Sequence, residues 1–266
     1  MVNLSEVSKF SKEFWKLLIG YEMSKYKLAL HISILLIFLT AFSAPPSQAR
    51  IIQFSGYDWQ VRDEEGGHPG PNNWSSDNVW LDSNGDLHLK ITYSDNQWYA
   101  AEIQTVQPLG FGKYQFQLVG RVDQMDPNVV LGLFSYSDTN SLDEVDIEYT
   151  QWGDPESTSG NWSVYSAQPD KRNAHKKYPL SLDGTYTTSQ YTWNSQQILF
   201  QTLGGHQDDN DNNELASWLF DPSNAENRIP QQPMIVHINF WLNNGNPPLN
   251  GEEAEIIIHS FSFIPN

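Results

Sequence analysis

The stretch DEVDIEYTQWG, residues 143–153, sets four acids within six positions: Asp143, Glu144, Asp146 and Glu148. Val145, Ile147 and Tyr149 interleave them with the period of a strand. On a strand Glu144, Asp146 and Glu148 share one face, and the three apolar residues share the other. Like charges on one sheet face repel. A column of three carboxyls is therefore costly, and it points to a function or a ligand. Two carboxyls flanking a scissile bond are the equipment of glycoside hydrolysis; in its retaining form the nucleophile and the acid/base stand about 5–5.5 Å apart. Residues four apart on a strand are roughly 13 Å apart at Cα. Two glutamates leaning inward close that gap better than two aspartates. The central Asp touches both ends, can hydrogen-bond the nucleophile, and by its charge helps keep the other Glu protonated. A cation site is the competing use of such acids, but one flat strand wraps a 6- to 8-coordinate ion poorly.

The elements that must position this column are strands. After residue 50 almost nothing reads as helix. Eleven alternating runs recur: NVWLD, DLHLKITY, WYAAEIQTV, KYQFQLVGRV, NVVLGLFSY, EVDIEY, WSVYSAQ, SQYTWN, QILFQTL, MIVHINFWL and AEIIIHSFSFI. Turn signals such as SNG, SDN, MDPN, DGT and NNGNPP separate them. Many short strands at this spacing predict a β-sandwich or barrel. No linker or repeat divides residues 50–266, which read as one domain. The aromatic content is high, with Trp 10, Tyr 12 and Phe 13. Most of these rings are needed for two inner sheet faces; the remainder can stack on sugar rings.

The net charge of −17 disfavours nucleic acid and anionic membranes as partners. A neutral polymer fits better, and a monomer is expected. There are no cysteines, which excludes disulfides, thiolate metal sites and a Cys nucleophile. The histidines form no H-x-x-x-H pair and read as unrelated to one another, so zinc is not expected. The acidic run 208–214 lacks the Gly and spacing of an EF-hand and reads as a solvated loop. No cofactor is called for, although a structural calcium ion is compatible with so many acids.

From Met23 the chain has a basic n-region (Lys25, Lys27), an apolar run Leu28–Phe42 and a small-x-small site at Ser47–Ala49. This is the pattern of a signal peptide. The 15 apolar residues fall short of the roughly 20 that span a bilayer. Residues 1–49 are expected to be removed on export to the periplasm or the exterior, with Arg50 the new first residue. Met23 offers an alternative start.

The segment Glu144-Val-Asp-Ile-Glu148 resembles the E-[IV]-D-[IV]-E signature of family 16 glycoside hydrolases, which include lichenases and laminarinases. Its surroundings match in order. AEIQT (101–105) and LGFGKYQFQL (109–118) resemble the family's A-E-x-x-[ST] strand and the segment after it. LGLFSY (131–136) resembles the strand before the catalytic one, YTW (191–193) the F-x-W, and INFWLNNG (238–245) the M-N-L-W-x-G strand. The resemblance implies a jelly-roll sandwich of two antiparallel sheets, of the concanavalin A-like lectin and glucanase type. It also implies retaining cleavage of a β-linked polysaccharide. By position Glu144 matches the nucleophile, Glu148 the acid/base and Asp146 the helper between them. Glu102 matches a carboxylate that hydrogen-bonds a sugar; Tyr136, Asn239 and Trp241 match cleft positions.

Two family positions differ. The Trp that lichenases carry two residues before the nucleophile is Leu142, and the Arg two residues after the upstream Glu is Gln104. Continued alternation through TQWG predicts that Thr150 and Trp152 extend the carboxylate face, with Trp152 as a replacement stacking platform. A carbohydrate-binding sandwich without activity is the runner-up, since a shared fold does not give function. A lectin, however, has no use for both glutamates. A transglycosylase of the same family is the other alternative.

Overall fold

The computed structural model describes residues 49–137, 142–166, 173–208 and 212–266, together with Lys16. The apolar run of the export segment therefore lies outside the described residues, and so do residues 209–211 of the acidic run 208–214. Two compact units are separated at Gln48/Ala49, and the second holds everything that follows.

Among the described residues 17 strands follow one another: β1 (Ile51–Phe54), β2 (Tyr57–Val61), β3 (Glu64–Gly67), β4 (Asn72–Trp74), β5 (Val79–Leu81), β6 (Leu87–Ser94), β7 (Gln97–Thr105), β8 (Gly112–Val119), β9 (Val129–Tyr136), β10 (Glu144–Tyr149), β11 (Gly160–Tyr165), β12 (Ala174–Tyr178), β13 (Tyr186–Trp193), β14 (Ile198–Gly204), β15 (Glu214–Phe220), β16 (Ile235–Leu242) and β17 (Ala254–Pro265). Among the described residues from 49 onward the one α-helix is the single turn Ala225–Arg228. All eleven sequence-predicted strands are present. The six without a prediction are β1 to β4, β12 and β15. β1 to β4 are short, β12 (AHKKY) is too polar to show an alternating core face, and the seven residues of β15 (ELASWLF) do not alternate between apolar and polar.

A first sheet runs β1-β2-β7-β16-β9-β10-β11-β12, antiparallel throughout. A second runs β5-β6-β17-β8-β13-β14-β15, also antiparallel. The β6–β7 hairpin belongs to both, so the hydrogen-bonded ladder passes from one sheet to the other. This is the expected jelly-roll sandwich.

The inner faces meet in one apolar core. Val145, Ile147 and Tyr149 of β10 enter it with Tyr114, Phe116 and Leu118 of β8. Polar atoms inside are matched across the sheets. The Tyr149 hydroxyl lies 2.7 Å from Ser189 Oγ and 3.1 Å from Thr202 Oγ1, and the Tyr191 hydroxyl lies 2.6 Å from Ser135 Oγ. A slip of one residue in β10 would bury three carboxyls and expose its three core residues, so the register is strongly specified.

Candidate active site

Each carboxyl of the β10 column has a defined neighbour on both sides. Glu144 stands opposite Tyr136 of β9 and Tyr165 of β11; Asp146 opposite Phe134 and Ser163; Glu148 opposite Gly132 and Asn161. Glu144 and Glu148 are half-buried and Asp146 is buried. Burial pushes all three carboxyls up. Glu144 reaches about 7, where a hydrogen bond with Asp146 and the charge of His237 act against the rise. Glu148 reaches about 8, with the Glu144 charge adding to burial. Asp146 rises well above the carboxylate range through burial and the charges of both glutamates. Its bond to Glu144 holds the proton on Asp146 and the charge on Glu144. The column thus favours an anion at Glu144 and a proton at Glu148. Burial, helped by the negative column opposite, also holds the Tyr165 phenol protonated.

Beyond β9, β16 and β7 continue the same face. Residues 237, 239 and 241 share one side of β16. His237 pairs with Phe134 and Gln104, Asn239 with Gly132 and Glu102, and Trp241 with Val130. Glu102 is buried with both oxygens engaged: Oε1 accepts from His237 Nδ1 at 2.8 Å and Oε2 from Arg62 Nη1 at 2.7 Å. The His237 ring stacks on Phe134 (4.8 Å, 14°) and meets Tyr136 edge-on (6.1 Å, 84°). His237 thus lies among the site residues, contrary to its sequence reading as one of several unrelated histidines. Contact across strands, not spacing along the chain, brings it there. Gln104 brings no guanidinium to this face; Arg62, just beyond β2, brings one that pairs with Glu102 and lies 4.3 Å over the Trp74 ring.

Asn239 is buried, and its Oδ1 has no hydrogen-bond partner. Trp241 is buried away from the main core, in a separate cluster with Trp74, Ala100 and Val130. Trp152 packs on this cluster and meets Trp241 edge-on (6.3 Å, 63°). The route by which Trp152 arrives corrects the sequence reading. β10 ends at Tyr149, and TQWG does not extend it. Trp152 and Gly153 are both left-handed (φ 56° and 81°), a turn that ends the strand. Trp152 is fixed in that turn by its backbone N–H donating to Thr150 Oγ1 (3.1 Å) and its indole N–H donating to Asn161 Oδ1 (3.1 Å). Asn161 is the residue opposite Glu148, so the ring still lies beside the acid end of the column.

Half-buried and buried acids on one open face, flanked by aromatic rings and unpaired polar atoms, form a site for a polyhydroxylated ligand. The profile of glycosyl hydrolases family 16 matches residues 71–256. The chain belongs to that family. Among solved structures it resembles the Bacillus licheniformis β-glucanase at 20% identity, covering 83% of this chain and 100% of that one, with a TM-score of 0.61. A prokaryotic β-1,3-1,4-glucanase (lichenase) from a mouse hindgut metagenome matches at 21% identity over 82% and 100%, with a TM-score of 0.59. An immunostimulatory antigen and pseudo β-1,3-glucanase of Mycobacterium tuberculosis matches at 18% identity over 78% and 91%, with a TM-score of 0.60. No curated protein matches the chain.

In this family 16 chain, Leu142 replaces a stacking Trp and is 45% exposed, which leaves an apolar side chain at the Glu144 end. Arg62, Phe134, Tyr165, Asn161 and Trp74 are residues of the face that sequence reading did not select. Phe134 and Tyr165 were in principle legible, since each shares strand parity with, or lies opposite, a chosen residue. Arg62 lies in the loop just after β2, and Trp74 ends the three-residue β4, too short to show a period. Among the described residues no cluster of three or more His, Asp or Glu is placed to hold a metal ion, and no helix is long and apolar enough to cross a membrane.

Proposed function

We propose that this protein is a secreted, retaining, endo-acting glycoside hydrolase that cleaves a β-linked, β-glucan-like polysaccharide by double displacement. One observation carries the reading: two glutamates on one strand face, with a buried Asp between them that hydrogen-bonds Glu144. Glu144 attacks the anomeric carbon and Glu148 protonates the leaving oxygen. Glu148 then takes a proton from the water that releases the glycosyl group. Asp146 keeps Glu144 ionised before attack by donating to it, and the negative field of the column keeps the Glu148 proton in place. The face crosses eight strands, which suits a polymer lying along a groove. Trp152, Trp241 and Tyr136 offer rings against it, and Asn239 offers a carboxamide.

The test is a panel of soluble polysaccharides (lichenan, laminarin, xyloglucan, agarose and carrageenan) read by reducing ends and product masses, with NMR of the first-formed anomer. Retention is expected. An inverted product rejects the assigned roles, products longer than the substrate indicate transglycosylation, and binding without turnover indicates a carbohydrate-binding module. For export, the intact mass of protein recovered outside the cytoplasm should begin at or near Arg50. Full-length chain in membranes would favour an anchor.

A further inference from the structure

The face of the acid column continues on the side away from Glu102, across β11 and β12. Their register extends two rows of the column. Glu148 stands opposite Asn161, and Asn161 opposite Lys177; Asp146 stands opposite Ser163, and Ser163 opposite His175. Contacts show which way each residue of β12 faces. His175 Nδ1 lies 3.0 Å from Ser163 Oγ, and the His175 ring meets Tyr165 edge-on (5.2 Å, 74°). Lys176 goes the other way: its ammonium lies 5.9 Å from the ring centre of the core residue Trp162 and donates to the Ser217 carbonyl at 2.8 Å. Alternation then sends Lys177 to the His175 side, which is the side of the carboxyls. Two strand spacings put its Cα roughly 10 Å from that of Glu148.

Lys177 is exposed, and no hydrogen-bond or ion-pair partner is seen for it among the described residues. Other cations of the molecule are matched: Arg62 with Glu102, Lys90 with Glu255 and Arg121 with Asp123. With 32 Asp and Glu against 15 Lys and Arg, a spare ammonium on the face of the acid column stands out.

We propose that Lys177, with His175 beside it, forms a subsite for an anionic substituent (sulfate or carboxylate) on the sugars lying over β11 and β12, so that the substrate is a charged β-linked polysaccharide and not a neutral glucan. This rests on the hydrolase reading above. An ammonium only donates hydrogen bonds and an oxyanion only accepts them. Such charge-assisted bonds are roughly twice as strong as neutral ones. The net charge of −17 repels an anionic polymer as a whole, so a cation at the point of contact is needed to hold it there. Lysine on an edge strand also deters pairing with another sheet, and β12 is the edge of its sheet. That second role is met by a charge of either sign and is blind to the substrate, so the two roles separate by experiment.

The variants are Lys177→Ala and Lys177→Glu; the second keeps a charge on the edge strand and inverts the subsite. Both should fold, because the side chain is exposed. The substrates are carrageenan (sulfate) and β-linked polyglucuronate (carboxylate) against agarose, lichenan and laminarin (neutral). Wild-type kcat/KM should be highest on one of the two charged polymers, which identifies the anion, and should fall as NaCl is raised from about 0.05 to 0.5 M. On that polymer Lys177→Ala should raise KM roughly tenfold and Lys177→Glu more, with kcat within about twofold. The salt dependence should shrink in both, and any activity on neutral polymers should stay within about twofold. Highest turnover on a neutral polymer overturns the proposal. So does a loss in the variants that is nil on the charged polymer, or equal on charged and neutral ones. If the wild-type protein turns over none of them, the hydrolase reading fails and equilibrium binding to the same polymers decides. Salt-sensitive binding of a charged polymer that Lys177→Glu abolishes supports the subsite; binding of neutral polymers only, or of none, rejects it.

Discussion

The carboxamide oxygen of Asn239 occupies the space over Gly132 that any other residue's Cβ would fill. Gly132 lies between Asn239 on β16 and Glu148 on β10. The absent side chain therefore lets a buried polar group lean across β9 toward the acid end of the column. Gly132→Ala should displace Asn239 and overpack the site at a cost of about 1–3 kcal/mol. Activity should fall at least about tenfold. Adding Asn239→Ala should restore thermal stability without restoring kcat/KM. Recovery of both would mean that Asn239 matters only for packing.

Glu144 and Glu148 predict different variants. Glu144→Gln should be inactive on every substrate, because no other group can form the adduct. Glu148→Gln should be nearly inactive on polysaccharide yet still form the adduct from a glycoside whose leaving group needs no proton, and azide should release a β-azide. Asp146→Asn should remain folded and be impaired by about 10²-fold or more, because it cannot reproduce the shared proton. Azide rescue of Glu144→Gln in place of Glu148→Gln would reverse the two roles.

The raised carboxyls set two pH dependences. Activity should rise as Glu144 loses its proton near pH 7 and fall as Glu148 loses its own near pH 8, a narrow bell whose limbs belong to the coupled column. Stability runs one way. Each carboxyl has a folded value above its unfolded one, so the protonated fold is favoured, and that contribution is lost as pH rises through about 7 to 8. Glu148→Gln should therefore raise Tm at pH 9 by on the order of 5 °C and change it little at pH 4. An equal shift at both pH values would show that the gain does not come from the charge.

Trp152 is held beside the cleft by a hydrogen bond to Asn161, outside the main core. Trp152→Ala should raise KM for polymer roughly fivefold, about 1 kcal/mol of lost stacking, with kcat on short activated glycosides unchanged. A fall in Tm with an unchanged KM would assign the ring to packing.

The amino-acid sequence alone determined the catalytic strand, its parity and the position along the chain of eleven strands. Period-two alternation is a local property, and the acids of 144–148 can share only one face whatever surrounds them. The same alternation located eleven of the strands, among them most of the long ones. It did not reveal AHKKY or ELASWLF, because these edge strands show no clean core face to read. It also misled at TQWG, where strand geometry was extrapolated two residues past a turn that the left-handed Trp152 and Gly153 impose. Only the tertiary structure decided that His237 belongs with Glu102 at a sequence separation of 135, or that Arg62 reaches Glu102 from 40 residues away. Register between strands distant in sequence places those groups side by side, and register is set by how two whole apolar faces close on each other. The carboxyl column is written along one strand; the groups that tune it lie across several, and packing of the sandwich brings them together.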